Sequence, residues 1–442
     1  MENARSLIPV TLLSPGAARF WTAVVLTGIG AGISAAALTS LLAVVQHLMW
    51  PPSHADILDA AAQAGAWHHI LVLLGAGLLT GLGQIILVSL TSGNGIDITT
   101  AIWFTAGRLP ALRTLGSAVL SIINVGMGAS LGREGAPKQA GAVIANHLAD
   151  RAVLSDEQRR LLVACGAGAG MAAAYDVPLG GALFAIEVLR GVFALRLLLP
   201  ALTASLIATI VSWVALPNKP TYHVPAHSGS ASIICWAFIA GPFAGVLSVL
   251  YVQMVAVADR IRPKGWLRLI APAMVFSLLG LISIPFPQLL GNGKDVSQLT
   301  FNGELGPALL LALLLLKPIA TVMCLGSGAP GGLFTPSLTL GALFGGLLGH
   351  AWTWLWPGAP SGLFAVVGAG AVLAATTQGP ISALVLMIEL TGHDRAFMVP
   401  LVVAVVLATL VARTLDVRSI YDARLSDEQL AERQKLRMPA SH

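Results

Sequence analysis

Residues 166–178 read GAGAGMAAAYDVP and residues 368–380 read GAGAVLAATTQGP, so one glycine- and alanine-rich pattern occurs twice, 368 − 166 = 202 residues apart. A glutamate follows the proline by nine residues in both copies, at Glu187 and Glu389. The glycine-rich break at 126–135 likewise has a counterpart at 326–332. This repetition predicts two similar halves of roughly 200 residues each. Inverted and parallel arrangements of the two halves both fit the spacing.

The composition is that of a membrane protein. Of 442 residues, 56% are hydrophobic and 10% are charged, and the mean hydropathy is +0.82. A soluble domain has roughly 45–50% apolar and about 25% charged residues. The apolar runs extend from Trp21 to Leu415 without a long polar linker. We therefore predict one all-α membrane domain whose first membrane helix runs from Trp21 to about Val45.

Two apolar stretches, 121–145 and 323–345, are interrupted by several glycines and prolines. Irregular backbone is tolerated at membrane depth only where protein shields it or where it lines a watery cavity. Transporters built from inverted repeats place their ion sites at such broken helices. These two stretches are therefore predicted to form an ion site.

Basic residues predict the orientation, because the short loops that carry them face the cytoplasm. One loop contains Arg151, Arg159 and Arg160, and another contains Arg260, Arg262, Lys264 and Arg268. The segment 51–69, with His68 and His69, is predicted to be an exposed outer loop. The predicted units are a cytoplasmic segment (1–18), a first membrane repeat (19–216), an outer connection (217–231), a second membrane repeat (232–415) and a short cytoplasmic tail (416–442).

Three glycine-rich segments precede predicted helices: GNGID at 93–97, GREGA at 132–136 and GGLFTP at 331–336. A helix N-terminus exposes unpaired N–H groups and the positive end of the helix dipole. Glycine just before it lets an ion approach the backbone. Several such termini in one membrane chain predict a site for a desolvated anion.

Other classes of function lack their motifs in the sequence. Neither an HExxH metal pair nor a GxSxG nucleophile occurs, and the ten histidines form no ligand cluster. We therefore expect no enzymatic activity, no metal and no cofactor. The formal charge of +5 is explained by the basic loops, so no nucleic acid is expected as a partner. Acidic rings typical of a cation channel are not visible either.

The motifs GREG at 132–135, GLFTP at 332–336 and Ser419-Ile420-Tyr421 near the end resemble those of the CLC family of chloride channels and transporters. GNGID stands where that family has GSGIP. The resemblance covers residues 20 to 425, and within the family the chain looks most like the bacterial ClcB-like branch. It implies two inverted-topology repeats whose broken helices meet at a central anion site. It also implies that the protein lies among the lipids of the bacterial inner membrane with both termini in the cytoplasm. It further implies a homodimer with one pore per subunit, whose two copies pack against one another through residues 193–213 and 398–415.

The resemblance also implies roles for single residues. Glu134 is the gating glutamate: its carboxylate occupies an anion position, and protonation lets it swing away. The backbone N–H groups of Leu333 and Phe334 bind the central anion, and the Tyr421 hydroxyl donates to it from the inner side. The full predicted anion-binding set is Asn94, Gly95, Gly135, Leu333, Phe334 and Tyr421.

Two positions of the GNGID segment depart from the family pattern. Asn94 replaces a serine, although its amide can still donate a hydrogen bond. Asp97 replaces a proline and adds negative charge. Lys138 lies one helical turn after Glu134; it pairs with Glu134, offers charge to incoming anions, or extends to the membrane surface.

Val188 stands where antiporting members have a second, inner glutamate that relays protons, and valine does not titrate. This favours a passive chloride channel. The alternatives are a chloride/proton antiporter with another inner proton path and, because of Asn94, a fluoride-selective protein. Glu187 and Glu389 are predicted to cap or brace helix ends. The tail is too short for the nucleotide-binding CBS domains of larger relatives.

Overall fold

The computed structural model describes residues 16–50, 57–90, 97–225, 230–392, 395–416, 418–423, 425 and 427–437. Regular structure in these ranges is helical, with a single isolated antiparallel bridge. The helices are α1 (Ala17–Met49), α2 (Ile57–Gln63), α3 (Ala66–Leu90), α4 (Ile98–Phe104), α5 (Ala111–Gly126), α6 (Gly135–Arg151), α7 (Asp156–Tyr175), α8 (Pro178–Phe184, continued by the π-helical Ala185–Arg190), α9 (Leu195–Ser212), α10 (Ala231–Arg260), α11 (Leu267–Ser283), a 3₁₀ turn (Pro287–Leu289), α12 (Lys294–Asn302), α13 (Pro307–Gly326), α14 (Phe334–Leu355), α15 (Ser361–Thr377), α16 (Pro380–Thr391), α17 (Arg395–Leu415) and α18 (Asp427–Arg437).

Six helices in the described ranges are long and apolar enough to cross a membrane: Ala17–Met49, Ala66–Ser89, Leu195–Ser212, Ala231–Arg260, Pro307–Gly326 and Phe397–Leu415. The first is longer than predicted at both ends. Both predicted breaks are confirmed. The chain is irregular between Gly126 and Gly135, and again between Gly326 and Phe334.

Two glutamates link the halves in a reciprocal way. Each accepts hydrogen bonds from two backbone N–H groups at the start of a helix in the other half. The donors are Ile381 and Ser382 to Glu187 (3.1 and 2.6 Å), and Leu179 and Gly180 to Glu389 (3.0 and 2.6 Å). The predicted bracing role of Glu187 and Glu389 is confirmed. Because the exchange is mutual, a pseudo-twofold axis relates the two halves.

Replacing either glutamate by glutamine is expected to destabilise the protein. Hydrogen bonds to a charged acceptor stabilise more than neutral ones, so Glu187→Gln and Glu389→Gln should each cost about 1–2 kcal/mol. The measurement is the fraction of detergent-purified protein that stays monodisperse after heating. Glu304→Gln, at an exposed carboxylate, is the control and should behave like wild type. Equal heat resistance of all three variants would contradict the bracing role.

Paired glycines build the two central helix hairpins. In α6 and α7, Gly141 and Gly166 face one another so closely that a Cβ on either would overlap the other's carbonyl oxygen. Gly341 and Gly368 repeat the arrangement in α14 and α15. Such close backbone approach is how membrane helices pack without large apolar side chains. It holds α6 close against α7 and α14 close against α15.

The predicted exposure of the two histidines is wrong for His69. Both residues lie in the first turn of α3 rather than in a loop. His69 is buried, with Nδ1 2.8 Å from the Ser283 hydroxyl and Nε2 2.9 Å from the Ala61 carbonyl oxygen. The reason is that α2 covers the end of α3 and supplies a polar partner for the ring.

Candidate anion site

Glu134 is the residue immediately before α6, and its side chain is fully buried. Its Oε1 accepts a hydrogen bond of 2.6 Å from the backbone N–H of Phe334, the first residue of α14. Its Oε2 accepts from the Thr335 hydroxyl at 3.2 Å and from the Tyr175 hydroxyl at 3.5 Å. A carboxylate is itself an anion, so this geometry marks where the N-terminus of α14 holds negative charge.

Two glycines make room for this carboxylate. Gly132 and Gly332, one from each half, exchange backbone hydrogen bonds of 2.8 and 2.7 Å across the antiparallel bridge. A Cβ on either glycine would overlap the Glu134 carboxylate. The bridge therefore brings the two broken helices together, and the missing side chains leave room for the Glu134 carboxylate between them.

One cavity lies on each side of Glu134. The Arg133 cavity, of about 170 Å³, is lined by Arg133, Tyr175, Asp176, Lys219 and Lys294 among others. Arg133 also stacks over the Tyr175 ring at 4.8 Å. The lining therefore carries three cationic side chains and one anionic side chain, a balance that attracts anions.

The Lys138 cavity, of about 80 Å³, lies on the other side and is lined by Lys138, Leu333 and Tyr421 together with Gly135 and Gly332. Lys138 Nζ lies 3.3 Å from the Tyr421 hydroxyl, to which it donates. Because that bond uses a lone pair, the hydroxyl hydrogen can point at an anion. The ammonium also lies 4.8 Å from the centre of the Tyr421 ring.

The structure places most of the predicted site residues around one point. Gly135, Leu333 and Tyr421 line the Lys138 cavity, while Phe334 binds Glu134 directly. Asp97 caps α4, with its carboxylate accepting from the Thr100 N–H at 2.7 Å, and it also lines the Lys138 cavity. Asn94 and Gly95 lie outside the described residues.

Val188 is buried in the π-helical segment after α8. Its backbone carbonyl accepts a hydrogen bond of 3.3 Å from Arg433 of α18. Arg433 is 1% exposed, forms an ion pair with buried Asp422, and lies 5.1 Å from the centre of the Trp103 ring. Asp422 directly follows Tyr421 in the chain. The last helix is thus attached both to the Val188 position and to the Tyr421 segment.

Sequence reasoning missed three contributors to this site. Thr335 lies inside the GLFTP motif, and Tyr175 lies inside the repeated pattern, yet both hydroxyls reach Glu134. Their polarity within apolar runs was the available signal. Arg433 is one of many charged residues in the tail, so no local signal marked it as buried.

The same architecture occurs in proteins of known family. Residues 76–413, or 413 − 76 + 1 = 338 residues, match the family model described as voltage-gated chloride channel. The chain belongs to the CLC family. Among curated CLC relatives, the H(+)/Cl(−) exchange transporter ClcA of Vibrio cholerae is 32% identical over 319 residues, which are 68% of this chain and 66% of that relative. The chain thus spans just under two thirds of that relative's length.

A second CLC relative, the voltage-gated ClC-type chloride channel ClcB of Citrobacter koseri, is 30% identical over 409 residues, covering 89% of this chain and 96% of the relative. Two solved structures share the fold. A slow cyanobacterial Cl⁻/H⁺ antiporter gives a TM-score of 0.78 at 24% identity, covering 94% and 98% of the two chains. A CLC-type fluoride/proton antiporter gives 0.75 at 21%, covering 92% and 97%. The predicted CLC fold of two inverted-topology repeats is confirmed.

Proposed function

We propose that this CLC protein conducts chloride passively across the bacterial inner membrane along a path that Glu134 closes. One observation carries the proposal. The buried Glu134 carboxylate lies between two cavities and is bound to the N-terminus of α14, where a chloride ion would otherwise be held. A carboxylate and chloride compete for the same N–H groups.

Protonation removes this competition. A neutral carboxylic acid is a poor ligand for the positive end of a helix dipole, so it leaves the position to chloride. Chloride and protons therefore act on the same equilibrium between a closed and an open arrangement. The Phe334 N–H and the Tyr421 hydroxyl then face the ion from opposite sides, while Lys138 adds a formal positive charge beside its path.

The contacts around Val188 support conduction without proton coupling. Valine carries no proton, and the arginine on its carbonyl disfavours a second positive charge nearby. The adjacent Glu187 is engaged elsewhere, since it accepts from the Ile381 and Ser382 N–H groups and from the Ser382 hydroxyl at 2.6 Å. A proton arriving from the Tyr421 side would therefore meet a non-titrating residue and a fixed cation.

Chloride/proton exchange is the second candidate. It is favoured by the name of the Vibrio cholerae relative, which is an exchange transporter, whereas the Citrobacter koseri relative is named a channel. An exchanger of this sequence requires a proton path that bypasses Val188, for example a file of water molecules through the Lys138 cavity.

Ion efflux from liposomes decides between the candidates. The protein is reconstituted into liposomes that contain chloride. Valinomycin lets potassium cross the membrane and so prevents a membrane potential from building up, while chloride and proton electrodes record at the same time. We expect rapid chloride loss without proton uptake. Stoichiometric proton uptake would instead establish the exchanger. Repeating the measurement with internal fluoride tests the substrate, because fluoride loss without chloride loss would contradict the proposed selectivity.

We further propose that two copies pack through α9 and α17, with both chain termini in the cytoplasm and the Lys138 cavity on that side. Both helices present exposed apolar faces, including Leu206 and Ile210 on α9 and Val406 and Leu410 on α17. Matching faces of this kind bury well against a second copy. Cysteine crosslinking that yields only monomers from membranes would contradict the dimer.

A further inference from the structure

An apolar groove of about 840 Å³ opens on the surface between α10, α11 and α13, away from the anion path. Leu267, Ala271 and Val275 form one wall, at intervals of one helical turn along α11. The opposite wall follows α10 from Leu250 to Ile261, both of which are exposed. α9 and α17, proposed above to face a second copy, do not line it, so the groove faces the bilayer.

The groove has the dimensions of a lipid chain. The eleven helical steps from Leu250 to Ile261 correspond to about 16 Å. The hydrocarbon core of a bilayer is about 30 Å thick, so this length is close to that of one leaflet. An acyl chain lying along α10 would therefore be enclosed from the membrane surface to the midplane.

The Ile261 end of the groove is strongly basic. Residues 259–268, called here the basic connection, include the end of α10, the residues between the helices and the start of α11, and they contain four cationic side chains and one carboxylate, that of Asp259. The cations are Arg260, Arg262, Lys264 and Arg268. Trp266, in the same connection, is 70% exposed. Tryptophan concentrates at the level of lipid headgroups, and basic residues there attract anionic lipids.

We propose that this groove is a binding site for a phospholipid with a net negative headgroup. One acyl chain lies between α10, α11 and α13, and the headgroup phosphate lies on the basic connection. A zwitterionic lipid of equal chain length gains the same apolar contacts but less charge attraction. The site therefore distinguishes lipids by headgroup, and it does so whichever ion the protein carries.

The groove lies next to the segment that leads to the anion site, so lipid binding can affect that site. The groove ends at Gly326 and Ser327, where α13 stops and the segment leading to Phe334 begins. Gly328 lies against Pro263 of the basic connection, at a distance where a Cβ would make ordinary contact (3.8 Å). An occupied groove thus supports the segment that positions the first N–H groups of α14.

Native mass spectrometry of the full-length, delipidated protein tests the site. Palmitoyl-oleoyl phosphatidylglycerol and phosphatidylcholine are added separately at equal ratios, and the bound fraction is counted. We expect stronger retention of phosphatidylglycerol. The double variant Lys264→Gln/Arg268→Gln should weaken it roughly thirtyfold, since two basic residues near a membrane surface together contribute about 2 kcal/mol and about 1.4 kcal/mol corresponds to a factor of ten. Arg151→Gln/Arg160→Gln removes two charges of similar exposure, from the end of α6 and the first turns of α7, and should retain it.

Two further variants test the acyl-chain contact. Ala271→Trp fills the groove and should reduce retention of both lipids, and Met254→Trp on the opposite wall serves if the first variant does not fold. Equal retention of the two lipids by wild type would overturn the proposal. An equal loss of phosphatidylglycerol retention in both double variants would overturn the proposal too, because the lipid would then be attracted by the overall positive charge and not by this connection. Full retention of lipid by a variant whose groove is filled would also overturn the proposal, since only the headgroup would then be bound.

Discussion

Glu134→Ala should raise chloride efflux at neutral pH by about tenfold or more. The wild-type carboxylate is held by the Phe334 N–H and the Thr335 hydroxyl. Hydrogen bonds to a charged group contribute about 1.5–3 kcal/mol each, and 1.4 kcal/mol corresponds to a factor of ten. Removing the carboxylate releases these groups to chloride. The measurement is the initial rate of chloride efflux from liposomes between acidic and alkaline pH.

The pH dependence distinguishes gating from a mere change in packing. Wild-type efflux should increase as pH falls, because protonation neutralises the carboxylate, while efflux through Glu134→Ala should change little with pH. Glu134→Gln keeps the volume without the charge and should also lose the pH dependence. Glu389→Gln is the control at another carboxylate that accepts backbone N–H groups at a helix start, and it should keep the pH dependence. A Glu134→Ala protein that is slower than wild type at every pH would refute the proposed gate.

Arg433→Gln should destabilise the protein and disturb the Tyr421 segment. The substitution leaves Asp422 as a buried carboxylate without its ion-pair partner and removes the hydrogen bond to the Val188 carbonyl. Breaking one partner of a buried ion pair costs about 3–5 kcal/mol. We expect the unfolding temperature in detergent to fall by roughly 5 °C or more, together with slower chloride efflux.

Two comparisons make this result specific. The double variant Asp422→Asn/Arg433→Gln removes both charges and should recover more than half of the lost stability, since no unpaired charge remains. Arg108→Gln breaks an exposed ion pair, with Asp156, whose side chains are 57% and 59% exposed. That loss should be below about 1 kcal/mol. Equal effects of Arg108→Gln and Arg433→Gln would show that α18 is not anchored as described.

The parts of the fold that were predicted correctly depend on local signals. Several glycines close together marked the helix breaks at 126–135 and 326–332, so these breaks were visible in the sequence, whereas single prolines such as Pro242 and Pro318 lie inside continuous helices. The 202-residue repeat paired Glu187 with Glu389 and predicted that both brace helix ends. The helices that they brace were identified only by the fold, in which each glutamate contacts a helix start in the other half.

The parts that were missed depend on contacts between distant segments. Tyr175 and Thr335 are 160 residues apart, and only the folded chain brings their hydroxyls to 2.8 Å. Arg433 lies in a polar helix whose pattern predicts a solvated tail, yet it is buried against Trp103. His69 was assigned to an exposed outer loop because the 51–69 segment carries few Lys or Arg residues, whereas α2 shields it. Such residues are buried by segments that are distant in the sequence, so a short stretch of sequence around them does not predict their burial.

The bridge between Gly132 and Gly332 also has a consequence for how the protein is made. The first half contributes the carboxylate, but the N–H group that binds it belongs to residue 334, which is synthesised 200 residues later. At about 5–20 residues per second, a ribosome needs roughly 10–40 s to reach it. During that interval the nascent chain in the membrane has no complete ion path. In the proposed function, the group that closes the path and the helix start that completes it would therefore come together at the same stage of synthesis.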